Sequence, residues 1–119
     1  MVDANIILRI LLKDNQEMAF EALDFIKNNE ILIKNEVLAE VIYTSYKFYK
    51  MEKAEIYEFI TTLLADERVN TESEDVILLA LETFKNRSLD FVDCLLYAYN
   101  KILGYKVYTF DKKLNKLLK

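Results

Sequence analysis

Apolar residues recur along most of this chain with the period of an amphipathic helix, interrupted by a few short apolar runs. Residues 6–13 and 16–28 read as helices. In the second, Ala19, Leu23 and Ile26, with Phe20 and Phe25 beside them, form the apolar stripe. Residues 30–34 read as a short buried strand. A helix follows from about Asn35 to Lys50, with Leu38, Val41, Ile42, Ser45 and Phe48 or Tyr49 on one face. Residues 53–65 form another, through Ile56, Phe59, Ile60 and Leu63, and residues 67–71 fit a short strand. Ser73 with Glu74 and Asp75 opens a helix to about Arg87, an N-cap followed by an acidic first turn. Ser88 or Asp90 opens the next helix, which Gly104 terminates. Lys106-Val107-Tyr108-Thr109-Phe110 reads as a strand, and Asp111 opens a last short helix. Met1-Val2 stands where a first strand would lie.

Strands separated by helices pair in parallel through right-handed crossovers. The fold expected is therefore α/β: a three-layer α/β/α domain with a short, mostly parallel central sheet and many helices. At 119 residues and 53% hydrophobic, residues 1–119 make one domain with a self-sufficient core. No Pro and a single Gly favour long helices. One cysteine excludes an internal disulfide and a multi-Cys metal cage, and Cys94 lies in an apolar helical run that reads as core. Asp3 and Arg9 interrupt the only apolar N-terminal stretch, and no apolar run approaches a membrane span. The chain reads as a soluble cytoplasmic protein without a signal peptide. A net charge of −4 argues against unselective duplex binding but leaves room for a nuclease whose acidic site is neutralised by metal. Lys47, Lys50 and Lys53 form one basic cluster and Lys112, Lys113, Lys116 and Lys119 another; each reads first as a solvated helix face.

Four carboxylates stand out: Asp3, Glu40, Asp93 and Asp111. Each Asp has a structural explanation, because Asp3 and Asp111 precede helices and Asp90 and Asp93 have capping-box spacing, with Asp90 the strongest capping candidate. Glu40 is different. It lies in the second turn of its helix, among Val37, Val41 and Thr44, where a carboxylate beside buried residues costs energy unless paired or metal-bound. Asp3 and Asp111 each end a strand and begin a helix, and sites in open parallel sheets form at the carboxyl ends of strands. Acids gathered there repel, so a divalent cation is the natural counterion. With no histidine in the chain, such a site is made of hard oxygen donors that suit Mg²⁺ or Mn²⁺. Ions of that kind commonly work on phosphate.

The arrangement resembles the PIN-domain family, and within it the small VapC-type toxins. The matching segments are Asp3-Ala4-Asn5-Ile6-Ile7-Leu8, Val37-Leu38-Ala39-Glu40-Val41, Asp90-Phe91-Val92-Asp93-Cys94-Leu95-Leu96 and Tyr108-Thr109-Phe110-Asp111. They occur in family order across nearly the whole chain. The resemblance implies a metal-dependent endoribonuclease toxin, a homodimer, held silent by a small antitoxin protein and acting on RNA. It makes Asp3, Glu40, Asp93 and Asp111 the acidic quartet, with Asn5, Thr109 and Asp90 in support. Two departures stand beside it: only Met1 and Val2 precede the leading Asp, and the family's common final strand is missing after Asp111. Both bear on activity, while the acids themselves are all present.

Two other classes compete. One is a catalytically silent PIN-like module that only binds. The other is a receiver-like phosphoacceptor domain, which needs paired acids at its first strand end and a Lys after its last strand; here Asp3 is alone and Lys112 follows Asp111 directly. For the interface, Ile6, Ile7, Ile10 and Leu11 suggest more apolar surface than one core contact uses. An acidic pocket without metal would also attract a partner's basic side chain, Arg above all.

Overall fold

The computed structural model describes residues 1–119, which divide into two compact units, Met1–Glu72 and Ser73–Lys119. The first unit carries α1 (Ala4–Leu12), α2 (Gln16–Asn28), β1 (Ile31–Ile33), α3 (Asn35–Tyr43), a π-helical turn (Thr44–Phe48), α4 (Lys53–Leu64) and β2 (Val69–Thr71). The second carries α5 (Glu74–Asn86), α6 (Phe91–Leu103) and α7 (Lys112–Leu118). No helix is long and apolar enough to cross a membrane.

In the first unit, Asp3 and Asn15 start the first two helices by accepting hydrogen bonds from the Ile6 and Met18 amides, at 3.2 and 3.0 Å. Helix α1 ends at Lys13, whose φ of 52° turns the chain out of the helix. It packs against α2 and α3 through buried Ala4, Ile7 and Ile10. Helix α2 buries Ala19, Ala22 and Ile26, whereas Phe20 and Phe25 face solvent. The sheet is two parallel strands, with Ile31 opposite Val69 and Ile33 opposite Thr71. Ile31 and Ile33 are fully buried, as are Leu38, Val41, Ile42, Ile56 and Ile60. Each such side chain stabilises the fold by about 1.5–3 kcal/mol.

The second unit is helical. Helix α6 packs against both α5 and α7. Its buried face is Phe91, Cys94, Leu95 and Ala98, with Phe91 edge-on to Phe84 of α5 at 6.1 Å between ring centroids. Cys94 is buried and forms no disulfide, as its apolar setting in the sequence implied. Gly104 closes α6 at φ 75°, and its amide donates to the Asn100 carbonyl.

The helix-rich α/β class with a short parallel sheet is what the sequence pattern implied, but two of the four expected strands are absent. Met1 and Val2 form no ladder, and neither does Lys106–Phe110. The latter keeps strand-like alternation, with Val107 and Thr109 half-buried and Lys106, Tyr108 and Phe110 exposed. Side chains, instead of a neighbouring strand, hold the backbone just before it and near its end. Asn100 donates to the Tyr105 carbonyl and Asn115 to that of Thr109, both at 2.9 Å. The long helix expected to run to Lys50 also changes character at Thr44, where the Tyr49 amide bonds back five residues to the Thr44 carbonyl.

Candidate active site

Asp3, Asn5 and Glu40 lie in the first unit. Asp3 is the exposed N-cap of α1, with one carboxylate oxygen on the Ile6 amide. Asn5, two residues later, is exposed and lines a groove of about 270 Å³ together with Ile6, Arg9, Met18, Glu21, Ala22 and Phe25. Glu40 corrects the expectation of a carboxylate pressed against buried residues. It projects from α3 into solvent, and no hydrogen bond or ion pair engages it. Its helix starts in an unusual way. The N-cap residue Lys34 offers no side-chain acceptor, and Glu72 supplies one from just past β2 by accepting the Asn35 amide at 3.0 Å. Lys34 pairs with the same carboxylate at 3.4 Å. These contacts hold the Glu72 carboxyl below its usual range, the Asn35 hydrogen bond most of all. Glu72 escaped the sequence reading, yet the parallel register that sets Ile33 opposite Thr71 brings it next to Asn35.

Asp90, Asp93, Thr109 and Asp111 lie in the second unit. Asp90 occupies the N-cap position of α6 but makes no side-chain cap bond, so the capping role expected of it is not exercised. Asp93 sits in the first turn of α6, half-buried. Its carboxyl is pushed up, first by burial and then by the charges of Asp111 and Asp90. Asp111 caps α7 by accepting the Leu114 amide at 2.8 Å, while its own amide donates to Thr109 Oγ1 at 3.1 Å. Thr109 thus fixes the approach to the acid, and Asn115 fixes Thr109. Lys113 of α7 is engaged elsewhere, donating to Ser88 Oγ at 3.0 Å. No ion pair offsets any of the three acids.

The second unit therefore places Asp93 where the charges of both Asp90 and Asp111 act on it. In neither unit taken alone do three acidic, Cys or His side chains form a ready-made metal cage. What the arrangement offers is an uncompensated acidic surface of hard oxygen donors at helix starts, suited to a divalent cation bearing a phosphate.

Comparison with known proteins covers nearly the whole chain. The PIN domain model matches residues 1–118. A protein of Aquifex aeolicus (strain VF5) described as a VapC ribonuclease is 31% identical over 123 residues, covering 98% of this chain and 90% of the relative. No solved structure matches. With a family match from end to end and a relative aligned over nearly its whole length, the chain belongs to the PIN-domain family.

Proposed function

We propose that this protein is a Mg²⁺- or Mn²⁺-dependent endoribonuclease of VapC type, the toxin of a toxin–antitoxin pair, working in the cytoplasm as a single nuclease domain. The observation that carries the reading is the group Asp90, Asp93 and Asp111, held at helix starts with no cation paired to it. A silent binding module has no need to retain uncompensated acids. The 31% identity to a VapC ribonuclease adds independent support.

Asp93 and Asp111, with Asp3 and Glu40, are the catalytic acids in this proposal, and Asn5, Thr109 and Asp90 support them. The donor set fits a hard divalent cation: all four are carboxylates, and repulsion at Asp93 is relieved by positive charge. Such an ion supplies charge neutralisation and Lewis acidity at the scissile phosphodiester. The chain's own part is to orient. The Asp111 cap on Leu114 and the Asp3 cap on Ile6 each hold one carboxylate oxygen on a backbone amide, which fixes the direction of the second, and Thr109 Oγ1 accepts the Asp111 amide.

Cleavage of single-stranded RNA is expected to require Mg²⁺ or Mn²⁺ and to stop in EDTA. Asp93→Asn keeps the shape of the side chain and removes the charge. It is expected to fold and to lose activity by on the order of a hundredfold or more. Undiminished turnover in that variant would remove Asp93 from the mechanism.

A further inference from the structure

The sequence around the π-helical turn carries four aromatic residues in seven positions, Tyr43, Tyr46, Phe48 and Tyr49, interleaved with Lys47 and Lys50 and followed by Lys53. A helix face of that composition would normally bury its rings. Here Tyr43, Phe48 and Tyr49 are 60, 73 and 51% exposed. The π turn determines how they are grouped. Residues five apart in an α-helix point about 140° away from each other, at 3.6 residues per turn. The wider turn closes that angle, and Tyr43 and Phe48 meet edge-to-face at 6.5 Å between ring centroids. The segment keeps this form at a local cost. Ser45 Oγ is buried with no partner, and Lys50 adopts a positive φ of 55°.

The charges are arranged with the rings. The ammonium groups of Lys47 and Lys53 each lie 5.4 Å from the centroid of Tyr46. The adjacent acids, Glu52 and Glu55, spend their carboxylates on each other's backbone amides in the capping box that starts α4. No ion pair engages Lys47 or Lys50. In a chain of net charge −4, this is a local basic site whose cations sit over the half-buried Tyr46 ring, in the same short segment as three exposed rings.

We propose that the Tyr43–Lys53 segment is a binding platform for single-stranded RNA, with bases stacking on Tyr43, Phe48 and Tyr49 and phosphates meeting Lys47 and Lys50. The inference rests on the ribonuclease reading for the identity of the nucleic acid. Alternating rings and ammonium groups match alternating bases and phosphates, the pattern of surfaces that hold single strands without reading their sequence. A purely apolar protein partner would leave the lysines without a role.

The test is fluorescence anisotropy of a labelled oligouridylate about twelve nucleotides long, within the usual span of such sites. It is run in EDTA, so that binding is measured without cleavage. Tyr43→Ala with Phe48→Ala is expected to weaken binding roughly tenfold or more, from the loss of two stacking surfaces. Lys47→Gln with Lys50→Gln is expected to lower the salt dependence of log K by about 1.4, at 0.7 per phosphate for single strands. All four side chains are exposed, and thermal melts like that of the parent establish that the variants fold. Unchanged affinity and unchanged salt slope in folded variants would overturn the platform. So would loss of self-association in light scattering with RNA binding intact, since the face would then be a protein contact. Failure of the nuclease reading is a separate result: wild-type protein that cleaves no RNA, while the platform variants still lose binding.

Discussion

Asp111 holds two roles at one residue, and they can be separated by experiment. Its carboxylate caps α7 through Leu114 and contributes to the charge around Asp93. Asparagine keeps a capping oxygen, whereas alanine removes it. Asp111→Asn is expected to retain stability while losing cleavage; Asp111→Ala should lose both, with stability falling by about 1 kcal/mol in denaturant titrations. Equal activity in the Asn variant and the wild type would leave Asp111 with the cap alone. Asp93 sets the pH behaviour. Its carboxyl is raised in the folded protein, so ionising it disfavours the metal-free fold. Stability in EDTA should therefore decline as pH rises through the folded titration of Asp93. Divalent-ion affinity should rise over the same interval, because ion and proton compete for one group. Asp93→Asn should flatten the stability profile in thermal melts.

At the scale of elements, helix α3 depends on a residue far away in the chain. Lys34 caps nothing, and Glu72 supplies the acceptor for Asn35. Because its pKa is lowered on folding, Glu72 contributes stability that is fully present above the ordinary carboxylate range. That contribution is lost as pH falls through the lowered folded value. Glu72→Gln should reduce stability near neutral pH and narrow the difference from wild type in acid. Amide exchange in the first turn of α3 should speed up in the variant. An unchanged exchange rate at Asn35 would show that the cap is dispensable. Since α3 also carries Glu40, cleavage should fall along with the helix start.

For the whole molecule, the question is what controls an exposed acidic site. The proposed small antitoxin would place an Arg or Lys against carboxylates that lack a counterion. Inhibition should then be stoichiometric and relieved by excess Mg²⁺ or Mn²⁺. Inhibition that survives removal of every basic residue from the partner's inserted segment would rule out this charge mechanism. A homodimer is the expected assembly, and light scattering showing only monomer at high concentration would count against it. The apolar surface expected for it on α1 is largely absent. Ile7 and Ile10 are 0 and 6% exposed, and Ile6 and Leu11 are half-buried. Large exposed apolar side chains of the first unit lie instead on α2, at Met18, Phe20 and Phe25.

The helices, their order and most of their ends were legible in the amino-acid sequence, because most are specified locally; the start of α3, held by Glu72, is the exception. Asp3, Asn15 and Asp111 cap where they stand, Gly104 stops α6, and the apolar period marks the buried faces. The candidate acids were legible for a related reason, since a chain without histidine leaves only carboxylates to hold a hard metal. What sequence alone could not decide depends on partners distant in the chain. A strand exists only if another pairs with it, so Ile31–Ile33 and Val69–Thr71 form a ladder while the equally strand-like 106–110 does not. The Glu72 cap requires the β1–β2 register. Exposure of Glu40 and burial of Ile7 depend on how the helices pack. The widened turn at Thr44–Phe48, which sets Tyr43 against Phe48, breaks the 3.6-residue period from which the long helix to Lys50 was read.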